Sequence, residues 1–311
     1  MRWKSCLAPR GALLAVLAAV VTACTEPPTT VLEPNPERTL ELGSDGPFGA
    51  ELFVRDLRVR VDDVVRTDVL VATEGDGSIA CDKPVVVFVH GGLVTHERYR
   101  WLAAHIASRG FVVVSPHHEF DLAFFEQSNA ADVLLAVRAA SARAGDALEC
   151  AASPRRAAIY GHSLGGVVAA TTWSYEPDLF SHLALLASYT AEGSFAERTP
   201  PGRVVSIVGT ADAKVSLEQA RAGTTALATS GLPVTLAAIE GMNHMQVVSE
   251  LTPDEEASAG MATLSTDDAR ALVRVVLDAW LDDFDGRPSG FLDTPSEWPA
   301  GVFAADELGA P

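Results

Sequence analysis

The chain has 311 residues, of which 48% are hydrophobic, and a formal net charge of −18. That apolar content is ample for a large buried core, and the length allows one large α/β domain or two small ones. The acidity, with no basic stripe along the chain, argues against nucleic acid and anionic lipid headgroups as partners.

Residues 1–23 read as an export signal. Arg2, Lys4 and Arg10 make a basic start, and residues 11–21, GALLAVLAAVV, are continuously apolar. As a helix this run reaches about 16 Å, short of the roughly 30 Å hydrocarbon core of a bilayer. Thr22 and Ala23 stand just before Cys24, which resembles the lipobox of bacterial lipoproteins. The resemblance implies cleavage before Cys24, a lipid on its sulfur and attachment to a membrane of the cell envelope. The alternative is an ordinary secretory peptide cut nearby. Residues 24–47 carry Pro27, Pro28, Pro34 and Pro36 and read as a semi-rigid tether. Of the four cysteines, Cys6 leaves with the signal and Cys24 is the anchor candidate. Cys81 and Cys150 remain, in a compartment that permits disulfides, and are expected to pair; the alternative is two free thiols.

The globular body is expected over residues 48–284. Residues 52–61 and 66–73 have period-two features that suit antiparallel strands with one wet face. PVVVFVH (84–90) is a solid apolar run, the signature of a strand covered on both faces. A helix over 97–110 follows, with Tyr99, Leu102 and Ile106 at helical spacing and Gly110 as a stop. Strands at 111–116, 156–161, 182–188, 203–209 and 233–241 then alternate with helices at 129–143, 163–175, 215–229 and 266–284. Ser265 or Thr266 can cap the last helix, whose buried face is expected at Leu272, Val276, Trp280 and Phe284. This rhythm means a mostly parallel, doubly wound sheet of eight strands, two leading antiparallel ones and six linked by crossovers. Residues 285–311 form a Pro-, Gly- and acid-rich tail, either pinned to the body by Phe291, Trp298 and Phe303 or partly disordered.

The stretch IYGHSLGGVVA (159–169) lies where a buried strand turns into a helix. Gly161-His162-Ser163-Leu164-Gly165 is a G-x-S-x-G pattern in the context a nucleophile elbow requires. A serine on such a tight turn stands clear of the sheet. Glycines two residues to either side, Gly161 and Gly165, relieve the crowding, and Gly166 lets the helix pass close to the sheet. The helix N-terminus offers N–H groups to an anion forming on the substrate.

A serine hydroxyl needs a base within hydrogen-bond reach. His162 has the right neighbourhood but the wrong direction, and His105 and His182 read as surface or packing residues. His244, in EGMNHMQ (240–246), follows the last parallel strand at the carboxyl edge of the sheet, where ligand sites of open α/β sheets collect. The orienting carboxylate is expected from Asp212, past the end of strand 203–209, with Glu192 as runner-up and Asp178 as a solvated turn residue. The oxyanion needs two N–H donors. One is expected from Leu164, and the other from Gly92 in FVHGGL (88–93), with Leu93 as its alternative and His90 as a buttress of that loop.

The order Ser163, Asp212, His244, with VHGGLVTHERYRWLAAHIASRGFVVVSP and GHSLGG, resembles the α/β-hydrolase superfamily over roughly residues 52–284. Within it the chain looks like chlorophyllases, platelet-activating-factor acetylhydrolases and cutinase-like polyester hydrolases. The resemblance implies an α/β-hydrolase fold and a serine carboxylic-ester hydrolase working through an acyl-enzyme, without cofactor or metal. Polyester hydrolases usually carry an aromatic residue near the position of Gly92, and this departure puts specificity for aromatic polymers in doubt while leaving polymeric esters among the expected substrates. The family's sheet order makes strands 84–90 and 156–161 neighbours. That brings Cys81 and Cys150 to one edge of the sheet, opposite the active edge.

The interval between the strands ending at 188 and starting at 203 leaves no room for a large cap domain. The site is therefore expected to be open and to suit bulky, extended or surface-bound ester substrates. His117, Phe120 and Phe124, in the loop PHHEFDLAFFEQ (116–127), are the candidate pocket wall, with Phe125 beside them. A metal site at His117, His118, Glu119 and Asp121 is the lesser reading of that loop, since adjacent histidines rarely chelate one ion. The acidic loop 249–260 is a candidate rim. Two other functions stay open: a transacylase or serine peptidase with the same triad, and a non-catalytic binding lipoprotein on a hydrolase scaffold.

Overall fold

The computed structural model describes residues 46–117, 129–190 and 202–304. Among the described residues nine strands form one sheet: β1 (Gly49–Arg60), β2 (Asp63–Thr73), β3 (Val85–Val89), β4 (Val112–Pro116), β5 (Ala157–His162), β6 (Phe180–Leu186), β7 (Val204–Gly209), β8 (Val234–Ile239) and β9 (Val302–Ala304). Their order across the sheet is β1-β2-β4-β3-β5-β6-β7-β8-β9. Strands β3 to β8 run parallel, while β1 pairs antiparallel with β2, β2 with β4, and β8 with β9.

The ninth strand is the departure from the eight expected. It comes from the segment read as a tail, and Phe303 lies opposite Ala238 in the pairing with β8. Its neighbours hold it there: the Trp298 indole N–H donates to the Phe291 carbonyl at 2.7 Å, and the two rings stack. Three residues of strand flanked by Pro and Gly give too little periodicity to be read from sequence.

The helices are α1 (Arg100–Ser108), α2 (Asn129–Ser141), α3 (Leu164–Tyr175), α4 (Leu217–Thr229), α5 (Pro253–Ser258) and α6 (Thr266–Phe284). The parallel strands are mostly apolar, without strict alternation, because helices cover both faces, and successive residues alternate between the two layers. Val86 and Phe88 of β3 pack with Leu102 and Ile106 of α1 and Val276 and Trp280 of α6. Val85, Val87 and Val89 pack with Val133 and Val137 of α2 and Val168 and Trp173 of α3. Among the described residues no helix is long and apolar enough to cross a membrane.

Local chemistry sets the helix ends. Ser216 and Gln219 form a reciprocal capping box on α4, and Thr252 and Glu255 form one on α5. Ser265, not Thr266, caps α6 by accepting from the Asp268 N–H. The buried stripe of α6 runs through Val273, Val276, Leu277 and Trp280, with Leu272 and Phe284 at its margin. His105 and His182 both reach α6 as packing residues, 2.8 Å from Asp278 and 3.1 Å from Asp283.

Cys81 and Cys150 are joined by a disulfide that spans 69 residues. It lies before β3 and β5, beside a backbone pair in which the Asp82 N–H donates to the Cys150 carbonyl at 2.7 Å. This is the amino edge of the parallel strands. In the chain-entropy picture, closing such a loop contributes on the order of 4 kcal/mol by restricting the unfolded chain.

Candidate active site

The carboxyl ends of β3, β5, β7 and β8 converge on one cleft. Ser163 follows β5 and caps α3 with φ 52° and ψ −126°. A side chain in this left-handed region costs of order 1–3 kcal/mol, and such strain persists only where the surroundings enforce it. Here they do. A Cβ added at Gly161 would lie 2.3 Å from the Gly165 carbonyl oxygen, and one at Gly165 would lie 2.2 Å from the carbonyl oxygens of Val89 and His90. Only glycine allows α3 to start so close to β3 and β5. The elbow is further held from β6, where the Ser163 N–H donates to the Leu186 carbonyl at 3.0 Å and the Ser188 hydroxyl donates to the Ser163 carbonyl at 2.6 Å.

His244 lies in the turn after β8, where its N–H donates to the Ala259 carbonyl. Its Nε2 is 2.9 Å from Ser163 Oγ, and its Nδ1 is 2.8 Å from Asp212 Oδ2. Asp212 follows β7. Its Oδ1 accepts two backbone N–H bonds, from Lys214 at 2.7 Å and Val215 at 2.8 Å. The Asp212 carboxyl is fully buried and the His244 ring nearly so. A carboxylate can only accept, so Nδ1 of His244 carries the ring proton and Nε2 presents a lone pair to the serine hydroxyl. Glu192 lies outside the described residues, and Asp178 is exposed in the turn between α3 and β6.

The loop after β3 closes the other side. A Cβ at Gly92 would lie 2.8 Å from Leu164 Cδ2, which puts the two residues against each other. Leu164 opens α3, where backbone N–H groups lack intrahelical acceptors. Leu93 is exposed with φ 63°. His90 is buried, and its Nδ1 donates to the Gly91 carbonyl at 2.9 Å.

Both ring nitrogens of His162 are engaged by groups other than Ser163, in a bridge the sequence does not reveal. Its Nε2 is 3.0 Å from the His244 carbonyl oxygen and its Nδ1 is 2.8 Å from the Tyr99 hydroxyl. The carbonyl fixes the tautomer: Nε2 donates to it, and Nδ1 accepts from the tyrosine O–H. Tyr99 in turn accepts from the Gly91 N–H at 3.3 Å. One buried chain thus links the loop carrying Gly92 to the loop carrying His244. Burial pushes the His162 imidazole well below its ordinary 6.5 and the Tyr99 phenol well above its ordinary value, so both are neutral. Tyr99 reads from spacing as part of the apolar face of α1; it lies in a 3₁₀ turn, His96–Tyr99, just before that helix.

The cleft is open, about 310 Å³, and is lined by Gly92, Leu93, Ser163, His244 and Met245. Lys214, Asp254, Glu255 and Ser258 rim it, so the acidic segment 249–260 reaches the site through α5. Arg98 fixes that segment: its guanidinium holds both Glu255 oxygens at 2.7 and 2.8 Å and the carbonyls of Ser249 and Glu250. The Arg98 bonds bring the Glu255 carboxyl down to about 2. His117 is not among the residues lining this cleft. Its Nε2 lies 3.0 Å from Asp68, and its ring stacks on His96. Phe120, Phe124, Phe125, His118, Glu119 and Asp121 lie outside the described residues.

A model of the Alpha/beta hydrolase family matches residues 85–250, more than half of the chain. The match runs from β3 through the elbow, β7 and β8 to the His244 loop, and it agrees with the sheet order. The chain belongs to the alpha/beta hydrolase family, a membership that supports hydrolase activity. A search of curated proteins found no match.

Proposed function

We propose that the protein is a serine carboxylic-ester hydrolase, acting through an acyl-enzyme on Ser163 with His244 as base and Asp212 as its orienting acid. The observation that carries this reading is the unbroken hydrogen-bonded line Ser163 Oγ, His244 Nε2, His244 Nδ1, Asp212 Oδ2. Ser163 Oγ attacks the ester carbonyl as Nε2 takes its proton. The tetrahedral oxyanion receives N–H groups from Leu164 and Gly92. The imidazolium then protonates the leaving alcohol, and water, deprotonated by the same nitrogen, releases the acid. The open cleft suits bulky or extended acyl groups, in keeping with the resemblance to the chlorophyllase, platelet-activating-factor acetylhydrolase and cutinase-like group. Cys24 would carry the lipid that holds the enzyme at the envelope, and intact-mass analysis of membrane-extracted protein reads this directly: an unmodified Cys24 sulfur ends that part of the proposal.

The test of the activity is a panel of esters of varied acyl length and their amide analogues, run on wild type and Ser163→Ala. Ester turnover that falls at least about 10³-fold in Ser163→Ala supports the proposal. Preferential amide cleavage points to a peptidase. No turnover of any ester points to a binding protein on a hydrolase scaffold.

A further inference from the structure

A second group of chemically capable side chains lies one loop away from the cleft, and the triad makes no use of it. Asp68 of β2, His96 of the 3₁₀ turn and His117 at the end of β4 each bring one ligand atom within 4.8 Å of the other two. Asp68 and His96 are 1% and 7% exposed, and His117 is 19% exposed at its side chain. Asp68 Oδ1 lies 3.0 Å from His117 Nε2, and Asp68 Oδ2 lies 3.5 Å from His96 Nε2. Among the described residues this is the one group of three or more such donors close enough to hold a metal ion.

We propose that Asp68, His96 and His117 form a binding site for a divalent first-row transition ion of the zinc type. The distances carry the argument. Ligand bonds of about 2.1 Å at tetrahedral angles separate donor atoms by roughly 3.4 Å; Asp68 Oδ1 and His117 Nε2, 3.0 Å apart, come near that value, and His96 Nε2 lies 3.5 Å from the same carboxylate group. A second observation points the same way. Nε2 of His96 is buried and has no hydrogen-bond partner, although it faces a carboxylate. A buried polar atom left in this state costs about 1–3 kcal/mol, and a cation on its lone pair removes that cost. Two imidazoles with one carboxylate favour zinc over calcium or magnesium, which take oxygen ligands.

The surrounding charges set the ion's neighbours. Arg100 engages Asp68 Oδ2 at 2.7 Å, which leaves Oδ1 as the ligand oxygen. The ion then replaces the proton between Oδ1 and His117. Glu97, with Oε1 3.3 Å from His96 Nε2, offsets the positive charge of Arg100 from the solvent side. Three protein donors leave a fourth position to water or to Glu97. Such an ion joins β2, β4 and the turn that begins three residues after Leu93, so it stiffens the loop after β3 without entering the cleft. The site is independent of the ester-hydrolase reading.

The test uses the untagged full chain, stripped with a chelator and dialysed. Calorimetric titration with zinc chloride, metal analysis of the dialysed complex and thermal melts are run on wild type, His96→Ala, His117→Ala and the control His182→Ala. The expected result is one zinc per chain, a melting temperature raised by several degrees, and both effects weakened at least about tenfold in affinity in His96→Ala and His117→Ala but kept in His182→Ala. His117 lies at the edge of the group, so His117→Ala reads the site even if His96→Ala fails to fold. Cobalt substitution supplies a visible spectrum that reports the ligand set. No binding at micromolar zinc, or binding unchanged in His117→Ala, overturns the proposal.

Discussion

Replacing Asp212 by Asn separates orientation from packing, because the structure dictates how the amide must sit. Oδ1 of Asp212 accepts from the N–H groups of Lys214 and Val215. In Asp212→Asn only the amide oxygen can accept those two bonds, so the NH2 is forced toward His244. Two donors cannot face each other, and the imidazole must move its proton from Nδ1 to Nε2. Nε2 then offers Ser163 an N–H where it offered a lone pair, and the base is lost. A wrong tautomer in such a triad costs about 10⁴-fold in kcat, or roughly 5.5 kcal/mol. The fold is kept, since both backbone donors remain satisfied. Replacing a charged by a neutral hydrogen-bond acceptor costs about 1 kcal/mol, which lowers Tm by roughly 2–4 °C. Steady-state hydrolysis of a chromogenic short-chain ester, with a melt on the same sample, reads both numbers. A variant within tenfold of wild type refutes the reasoning and moves the acid's role elsewhere, with Glu192 the first to test.

Three further outcomes follow from the same geometry. Gly165→Ala drives a methyl into two backbone carbonyls and is expected to fail to fold or to lose several kcal/mol of stability, whereas Gly75→Ala, which meets nothing within 4 Å, stays near wild type; equal melting temperatures for the two contradict the close approach at the elbow. Cys81→Ser with Cys150→Ser is expected to lose up to about 4 kcal/mol in urea unfolding while ester kcat is unchanged, because the bridge lies at the opposite edge of the sheet; an unchanged urea midpoint argues against the staple. His162 is neutral in the fold and titrates in the unfolded chain, so the unfolded state takes up the extra proton at acid pH. Its contribution to stability is therefore whole above about 6.5 and declines as pH falls below that value. Unfolding free energies at pH 7.5 and 5.5 should show a shallower acid-side decline in His162→Gln, which can still donate to the His244 carbonyl; an identical slope contradicts a buried neutral imidazole.

What the sequence shows of this molecule depends on the distance over which a pattern is written. The runs at 85–89 and 111–114 are apolar without alternation because both faces are covered, and that signal is local. The elbow is equally local, a strand, two spaced glycines and a helix. Asp212 and His244 are legible because each follows a readable strand on the same edge of the sheet. The long-range pairings are not. Arg55 sits on the buried face of β1 between Phe53 and Leu57, and only Asp146, 91 residues away, explains it. Tyr99 and His162 meet across 63 residues and Arg98 and Glu255 across 157. The residues of the Asp68–His96–His117 group come from β2, a 3₁₀ turn and the end of β4, so no spacing motif announces them. The sequence sets His117 beside His118, Glu119 and Asp121, yet its partners, Asp68 of β2 and His96 of the turn, are its neighbours only in the fold.

The measurement closest to the centre of this account is covalent labelling of the folded protein with a fluorophosphonate, with the adduct located by peptide mass spectrometry. The expected result is one adduct per chain, on the peptide containing Ser163, absent after heat unfolding and strongly slowed in His244→Ala. A folded wild-type chain that takes up no label, or takes it on another side chain, contradicts the account.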